Sequence, residues 1–214
     1  MAPYLVRIRG EYACFTRPEF KTERVSYEVI TPSAARGVFE AVLWKPAIRW
    51  HIRRILLLAR PRYIQFRRNE VTRRASVANA HKAMRTAQPE DYFADEDRAQ
   101  RNTLALRDVD YAVEAEFRFT DRRGPDDNPT KFDEMFRRRL EKGQFHMQPY
   151  LGCREFPARV ELYDGTPPQL ADETRDLGLM LHDMRYSAGG NKPVFFEARV
   201  QMGIVEVPEW EEGA

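Results

Sequence analysis

The chain has 214 residues, of which 43% are hydrophobic and 32% charged, with a net charge of +2 at neutral pH. That length suits one sizeable core, or one domain with a small satellite, and the composition argues against a disordered tail. No apolar run nears the roughly 18 residues a membrane helix needs, and two cysteines without CxxC spacing argue against a disulfide scaffold or a cysteine-built zinc site.

The opening MAPYLVRIRGEYACF alternates apolar and polar residues, with Arg7 and Arg9 inside the pattern. It therefore reads as a first strand over 4–14, bent near Gly10, and not as a secretory signal; a cytoplasmic protein is expected. A short second strand over 25–30 follows. Thr31-Pro32-Ser33 supplies cap chemistry for a helix over 34–43, whose apolar face is Ala35, Val38, Phe39 and Val42. After Pro46, the spacing of Ile48, Ile52 and Ile55 predicts a second helical stretch over 47–55. Residues 62–71 read as a strand, and 75–103, rich in Ala, Asn and Gln, as an insertion without a strong period.

A clear strand returns over 107–120, where Val109, Tyr111, Val113, Ala115, Phe117 and Phe119 share one face. A helix over 130–142 carries Phe132, Met135, Phe136 and Leu140, and Gly143 stops it. At least one strand lies in 145–163, and strands over 177–186 and 193–207 form a small terminal sheet. Strand, helix, strand, strand, helix, strand is the ferredoxin-like order found in RNA-recognition domains, so the fold class expected is α+β. The expected division is a main domain over 1–163, interrupted at about 62–105, and a small acidic β domain over 164–214 beyond a turn-rich linker.

Charge is distributed unevenly along the chain. Residues 45–85 carry twelve basic side chains against Glu70 alone, whereas residues 155–214 carry five basic and twelve acidic ones. A single acid cannot neutralise the first segment locally, which points to a polyanion as partner. Arginine dominates the set, and its fork suits phosphate. Candidate RNA contacts are Arg36, Trp44, Lys45, Arg49, Arg67, Arg68, Arg73 and Arg74. Neighbouring strand residues face opposite ways, so at most one of Arg67 and Arg68, and one of Arg73 and Arg74, meets the same surface.

Four stretches together resemble the fifth CRISPR-associated protein family, in the variant of type I-C systems. They are GEYACFTRPEFKTERVSYEV at 10–29, TPSAARGVFEAVLWKPAIRW at 31–50, RRNEV at 67–71 and YLGCREFPA at 150–158. The resemblance implies a ferredoxin-like domain with a β-hairpin thumb and a small C-terminal sheet. It implies a subunit that cuts precursor CRISPR RNA at the repeat hairpin and holds the 5′ handle among the other subunits of the type I-C Cascade complex. The same basic surface leaves open binding to double-stranded DNA.

The resemblance also implies cleavage without a metal or cofactor. Such a reaction needs a base for the ribose 2′-OH, a cation for the developing phosphorane and an acid for the leaving 5′-oxygen. The family pattern places Tyr or His before the WKP motif and a Lys-His pair at the start of the second long helix. Here those positions hold Leu43 and Lys131-Phe132, so only the lysine is retained. Lys131, near a helix N-terminus, is the electrostatic candidate. His146 is the candidate base, and His51, among Arg49, Arg53 and Arg54, is a second one whose imidazolium those like charges disfavour. The departures at Leu43 and Phe132 keep a non-catalytic, handle-binding subunit as the alternative. Cys153 reads as packing.

Overall fold

Burial of Tyr4, Val6 and Ile8, with Arg7 and Arg9 turned the other way, sets a period of two and produces β1 (Tyr4–Ala13). The computed structural model describes residues 3–20, 22–73, 75–88, 93–163, 165–186 and 190–209. The second strand is shorter than its sequence suggests: β2 is Arg24–Val25 alone. Beyond it the Ser26 hydroxyl accepts from the Phe15 N–H at 3.0 Å and donates to the Tyr27 carbonyl at 2.7 Å, alongside backbone bonds from Ser26 to Leu104 and from Tyr27 to Phe15.

Thr31 caps α1 (Pro32–Val42) by accepting from the Ala34 N–H at 3.2 Å, and Pro32 sits in the first turn, where its missing donor costs nothing. The stretch expected to be helical over 47–55 is a strand instead, β3 (Ile48–Leu57). Ile48, Trp50 and Ile52 alternate into the core, and an irregularity between Ile52 and Arg54 shifts the phase so that Ile55 and Leu57 also point inward. That bulge is why positions 48, 52 and 55 mimic a helical face.

A hairpin follows, made of β4 (Tyr63–Val71) and the first half of β5 (Arg98–Phe119). Inside it lies α2 (Val77–Thr86), a helix capped by Ser76 with no buried residue, in the segment that showed no strong period. Asn128 caps α3 (Pro129–Glu141), and Gly143, at φ 60°, takes the left-handed conformation that ends it. The chain continues through β6 (Tyr150–Leu151), β7 (Cys153–Pro157), β8 (Arg159–Leu162), β9 (Arg175–Arg185), β10 (Lys192–Val200) and β11 (Ile204–Glu206).

The result is an α+β architecture whose main sheet runs β11-β3-β5-β1-β8, with β2 and β4 also paired to β5. All its pairings are antiparallel except β2 with β5. A second, two-stranded sheet pairs β9 with β10. The acidic tail is nonetheless tied to the main body, because β11 pairs with β3 at the sheet edge. Among the described residues no helix is long and apolar enough to cross a membrane.

Helices α1 and α3 cover one face of the sheet over an aromatic cluster. Trp50 lies 4.5 Å from Phe136 between ring centroids, Phe39 stacks on Phe136 at 5.7 Å, and the Trp50 indole N–H donates to the Leu43 carbonyl at 3.0 Å. Pairs of this kind add to the area term, and a buried indole needs its acceptor. Trp50→Ala is expected to cost about 3–5 kcal/mol of unfolding free energy, whereas Leu179→Ala, on the exposed face of β9, should change it by less than ~0.5 kcal/mol. Urea titrations of the two variants check this, and equal effects would contradict the assignment of the core.

Candidate nucleic-acid interface

The basic segment is less naked than its sequence. Carboxylates distant in the chain reach most of it: Arg53 meets Glu209 and Glu116, Arg54 meets Glu114, Arg60 meets Asp172, Arg62 meets Asp108, and Arg68 meets Glu155. Glu155, Asp172 and Glu209 belong to the acidic last third, so the opposing charges that are separated in sequence are joined in space. The expectation of an uncompensated stripe from 45 to 85 is therefore corrected. Among the described residues Lys45, Arg67, Lys82 and Arg85 have no ion pair, whereas Arg73 contacts Asp97 at 3.4 Å. Arg74 lies outside the described residues.

These cations sit in two places. Arg67 is on the solvent side of β4, opposite Asn102, while Arg68 faces the other way, with its guanidinium 5.2 Å from the Phe156 ring. The pair divides as strand alternation requires. Lys82 and Arg85 lie on α2 at the far end of the same hairpin, and Lys45 lies in the exposed turn between α1 and β3.

Arg36 and Arg49 are not on the hairpin. Arg36 donates through Nε and Nη2 to both oxygens of Asp183, at 2.9 and 2.8 Å, and also pairs with Glu40; Arg49 lies 3.6 Å from Asp183. The two help to line a cavity of about 330 Å³ with His51, Arg53, Arg118, His182, Asp183 and Glu209. Arg36 faces this cavity, with its guanidinium held by Asp183 and Glu40. His51, which projects from a strand and not from a helix, has its pKa pushed down to about 4 by burial, with Arg118 and Arg49 adding to the effect. Its imidazole is therefore neutral, as its arginine neighbours in sequence suggest.

Trp44 and His146 come together where α1 and α3 end. The half-exposed indole lies nearly parallel to the imidazole, with ring centroids 6.1 Å apart and planes 22° apart. The segment after α3 is pinned to α1: the His146 and Met147 N–H groups donate to the Ala41 carbonyl at 2.8 and 3.1 Å, and Arg139 donates to the Val42 carbonyl at 2.6 Å. These contacts satisfy carbonyls that a helix end leaves without partners. His146 is thus in a loop and not on a strand. Arg139 had no sequence signal beyond an exposed basic residue on a helix.

Lys131 is elsewhere. It occupies the first turn of α3, its ammonium 2.8 Å from Asp127 Oδ1, and it holds the Asp127 carboxyl below the usual range. Lys131 and Glu141 are ten residues apart on α3, about 15 Å at the helical rise, and His146 lies beyond Glu141. Lys131 thus stands in the first turn of α3, while His146 is held near its other end by the Ala41 carbonyl. Leu43 and Phe132 are both buried, Phe132 within 5.9 Å of Phe117 and 5.7 Å of Phe119. Among the described residues no three His, Cys, Asp or Glu side chains gather in a metal-binding group.

The fold agrees with what the chain matches. The family model described as CRISPR-associated protein (Cas_Cas5) covers residues 4–208, and the chain belongs to that family. It is 46% identical over 211 residues to a Mannheimia succiniciproducens protein named CRISPR pre-crRNA endoribonuclease Cas5d, covering 95% of this chain and 93% of the other. A Thermus thermophilus protein of the same name is 42% identical over 226 residues, covering 97% and 92%. A chain in a solved structure titled CRISPR RNA-guided surveillance complex has a similar fold, with a TM-score of 0.55 at 14% identity, covering 97% of this chain and 91% of that one.

The neutral state of His51 carries a pH dependence. The native chain keeps this imidazole unprotonated down to about pH 4, while an unfolded chain takes up the proton near 6.5, so stability is lost as pH falls through that window. His51→Gln should reduce the fall in unfolding free energy between about pH 7 and pH 4.5 by the order of 1–2 kcal/mol, a figure discounted for partial exposure. Denaturant titrations at the two pH values measure it, and an undiminished fall in the variant would contradict the assignment.

Proposed function

We propose that this chain cuts precursor CRISPR RNA within the repeat, without a metal, and keeps the 5′ handle as a subunit of a type I-C surveillance complex. The activity named for the two curated relatives supports this reading, as does family membership over residues 4–208. The topology supports a ferredoxin-like core. With β2, β4 and β11 set aside, the strands run β8-β1-β5-β3, with α1 joining β1 to β3 and α3 joining β5 to β8. The β4–β5 hairpin, carrying Arg67 and α2, is the thumb of this reading, and its unpaired cations face the RNA backbone.

The observation that carries the catalytic part is the exposed Trp44–His146 pair beside Lys45. A splayed base stacks on Trp44, an interaction worth about 1–3 kcal/mol. His146 takes the proton from the 2′-OH, and Lys45 neutralises the phosphorane and supplies a proton for the leaving 5′-oxygen. The products are a 2′,3′-cyclic phosphate and a 5′-hydroxyl. Lys131, about 15 Å along α3 from its far end, holds a phosphate further along the strand.

Burial of Leu43 and Phe132, at the two family positions where protic residues are expected, favours a second reading. There the chain binds the handle and cleaves nothing. Repeat-containing RNA incubated with the protein in EDTA separates the two. The first reading predicts one discrete cut, and the second predicts a shifted but intact RNA. His146→Ala should slow cleavage by about 10²–10⁴-fold with binding changed by less than ~2-fold, whereas Lys131→Ala should weaken binding and cleavage together. Competition by an unrelated DNA duplex as strong as by the repeat hairpin would contradict both readings.

A further inference from the structure

The two cysteines are 139 residues apart in sequence and in contact in the fold. Cys14 follows β1, and its N–H donates to the Leu151 carbonyl at 3.0 Å. Cys153 opens β7, with its Sγ 3.7 Å from the Cys14 carbonyl. Gly152 makes the approach possible: it has φ 81°, and a Cβ there would stand 2.1 Å from the Cys14 carbonyl oxygen. The thiols are unequal. Cys14 is fully buried, with its Sγ 3.5 Å from Thr16 Oγ1, while Cys153 is partly exposed and accepts from Arg24 Nη1 at 3.2 Å.

We infer that Cys153 is a nucleophilic, modifiable thiolate with Cys14 as its resolving partner, and that an oxidant of the peroxide class joins them in an internal disulfide. The thiolate, not the thiol, attacks peroxide. The neighbouring Cys14 thiol and the Arg24 guanidinium both favour the anion at Cys153, outweighing its burial, and hold its pKa below the ordinary range. The same contact and burial hold Cys14 as the protonated thiol. In the first step the Cys153 sulfur takes one peroxide oxygen and becomes a sulfenic acid, releasing hydroxide. In the second, the Cys14 sulfur attacks the sulfenic sulfur, a disulfide forms, and its proton leaves with the displaced hydroxyl as water. Two electrons pass from the thiols to the peroxide.

The site bears on the hairpin. Arg24 also meets Glu70 of β4 at 3.5 Å and Glu155 at 3.8 Å, and Glu155 holds Arg68. Oxidation removes an anion from the cation that ties β4 to β7. This inference is independent of the RNA chemistry and is tested without RNA.

Alkylation of the full chain by iodoacetamide across pH, read by peptide mass spectrometry, should show Cys153 reacting with a midpoint at least about one unit below the ordinary ~8.5. Near pH 7 it should react at least ~10-fold faster than Cys14. Arg24→Gln should raise the midpoint. Hydrogen peroxide should then yield a Cys14–Cys153 cross-linked peptide pair that dithiothreitol releases, and in Cys14→Ser a dimedone adduct on Cys153. An ordinary midpoint, equal reactivity of the two cysteines, or peroxide oxidation of Cys153 that leaves Cys14 a free thiol would each overturn the inference.

Discussion

Strand β5 pairs with β1 and β3 along its C-terminal half and with β4 along its N-terminal half, so one run of backbone carries both the core sheet and the basic hairpin. The register of that strand buries Tyr111, Val113, Ala115 and Phe117, with Phe117 against Phe132 of α3. It also fixes where the hairpin leaves the body. A slip of one residue would exchange the core face for the charged one along its whole length. The aromatic cluster around Trp50 and Phe136 is what makes such a slip costly.

The other face of the sheet is laced with opposite charges. Arg7 donates to both oxygens of Asp110, at 3.0 and 2.7 Å, Arg9 lies 3.3 Å from Glu161, and Arg118 bridges Glu116 and Glu209 at 2.9 and 2.8 Å. Such partly exposed pairs add little stability each. Their effect is on the field: they offset positive charge along the sheet, whereas Arg67, Lys82 and Arg85 on the hairpin and Lys45 in its turn have no such carboxylate among the described residues. Sequence polarity thus becomes a division of the surface between compensated and uncompensated cations.

Elements whose pattern is local were legible from sequence. The alternation in β1 and β5, the Thr31 cap of α1 and the Gly143 stop of α3 all depend on residues within a few positions of one another. Strand β3 was misread because a bulge is set by its partner strand and leaves no local mark. Helix α2 was missed because nothing in the fold buries it, so no apolar stripe had to be present. The site was legible as composition but not as geometry. Spacing shows that Trp44 and His146 are polar-accessible candidates, but not that Ala41 and Val42 carbonyls bring the two loops together. Likewise, Asp183 and Glu209, which meet Arg36 and Arg53, lie 147 and 156 residues away from them, beyond any local reading.

The account stands on cations left unpaired at the hairpin while those of the sheet are neutralised. Binding of a repeat-derived RNA, measured against salt concentration in two triple variants, tests this directly. Arg67→Ala with Lys82→Ala and Arg85→Ala should flatten the slope of log K against log salt by up to about 2, at roughly 0.7 for each lost contact with a single strand. Arg9→Ala with Arg54→Ala and Arg118→Ala should leave that slope unchanged within ~0.5. The opposite ranking, with the sheet variant flattened and the hairpin variant unaffected, would contradict the account.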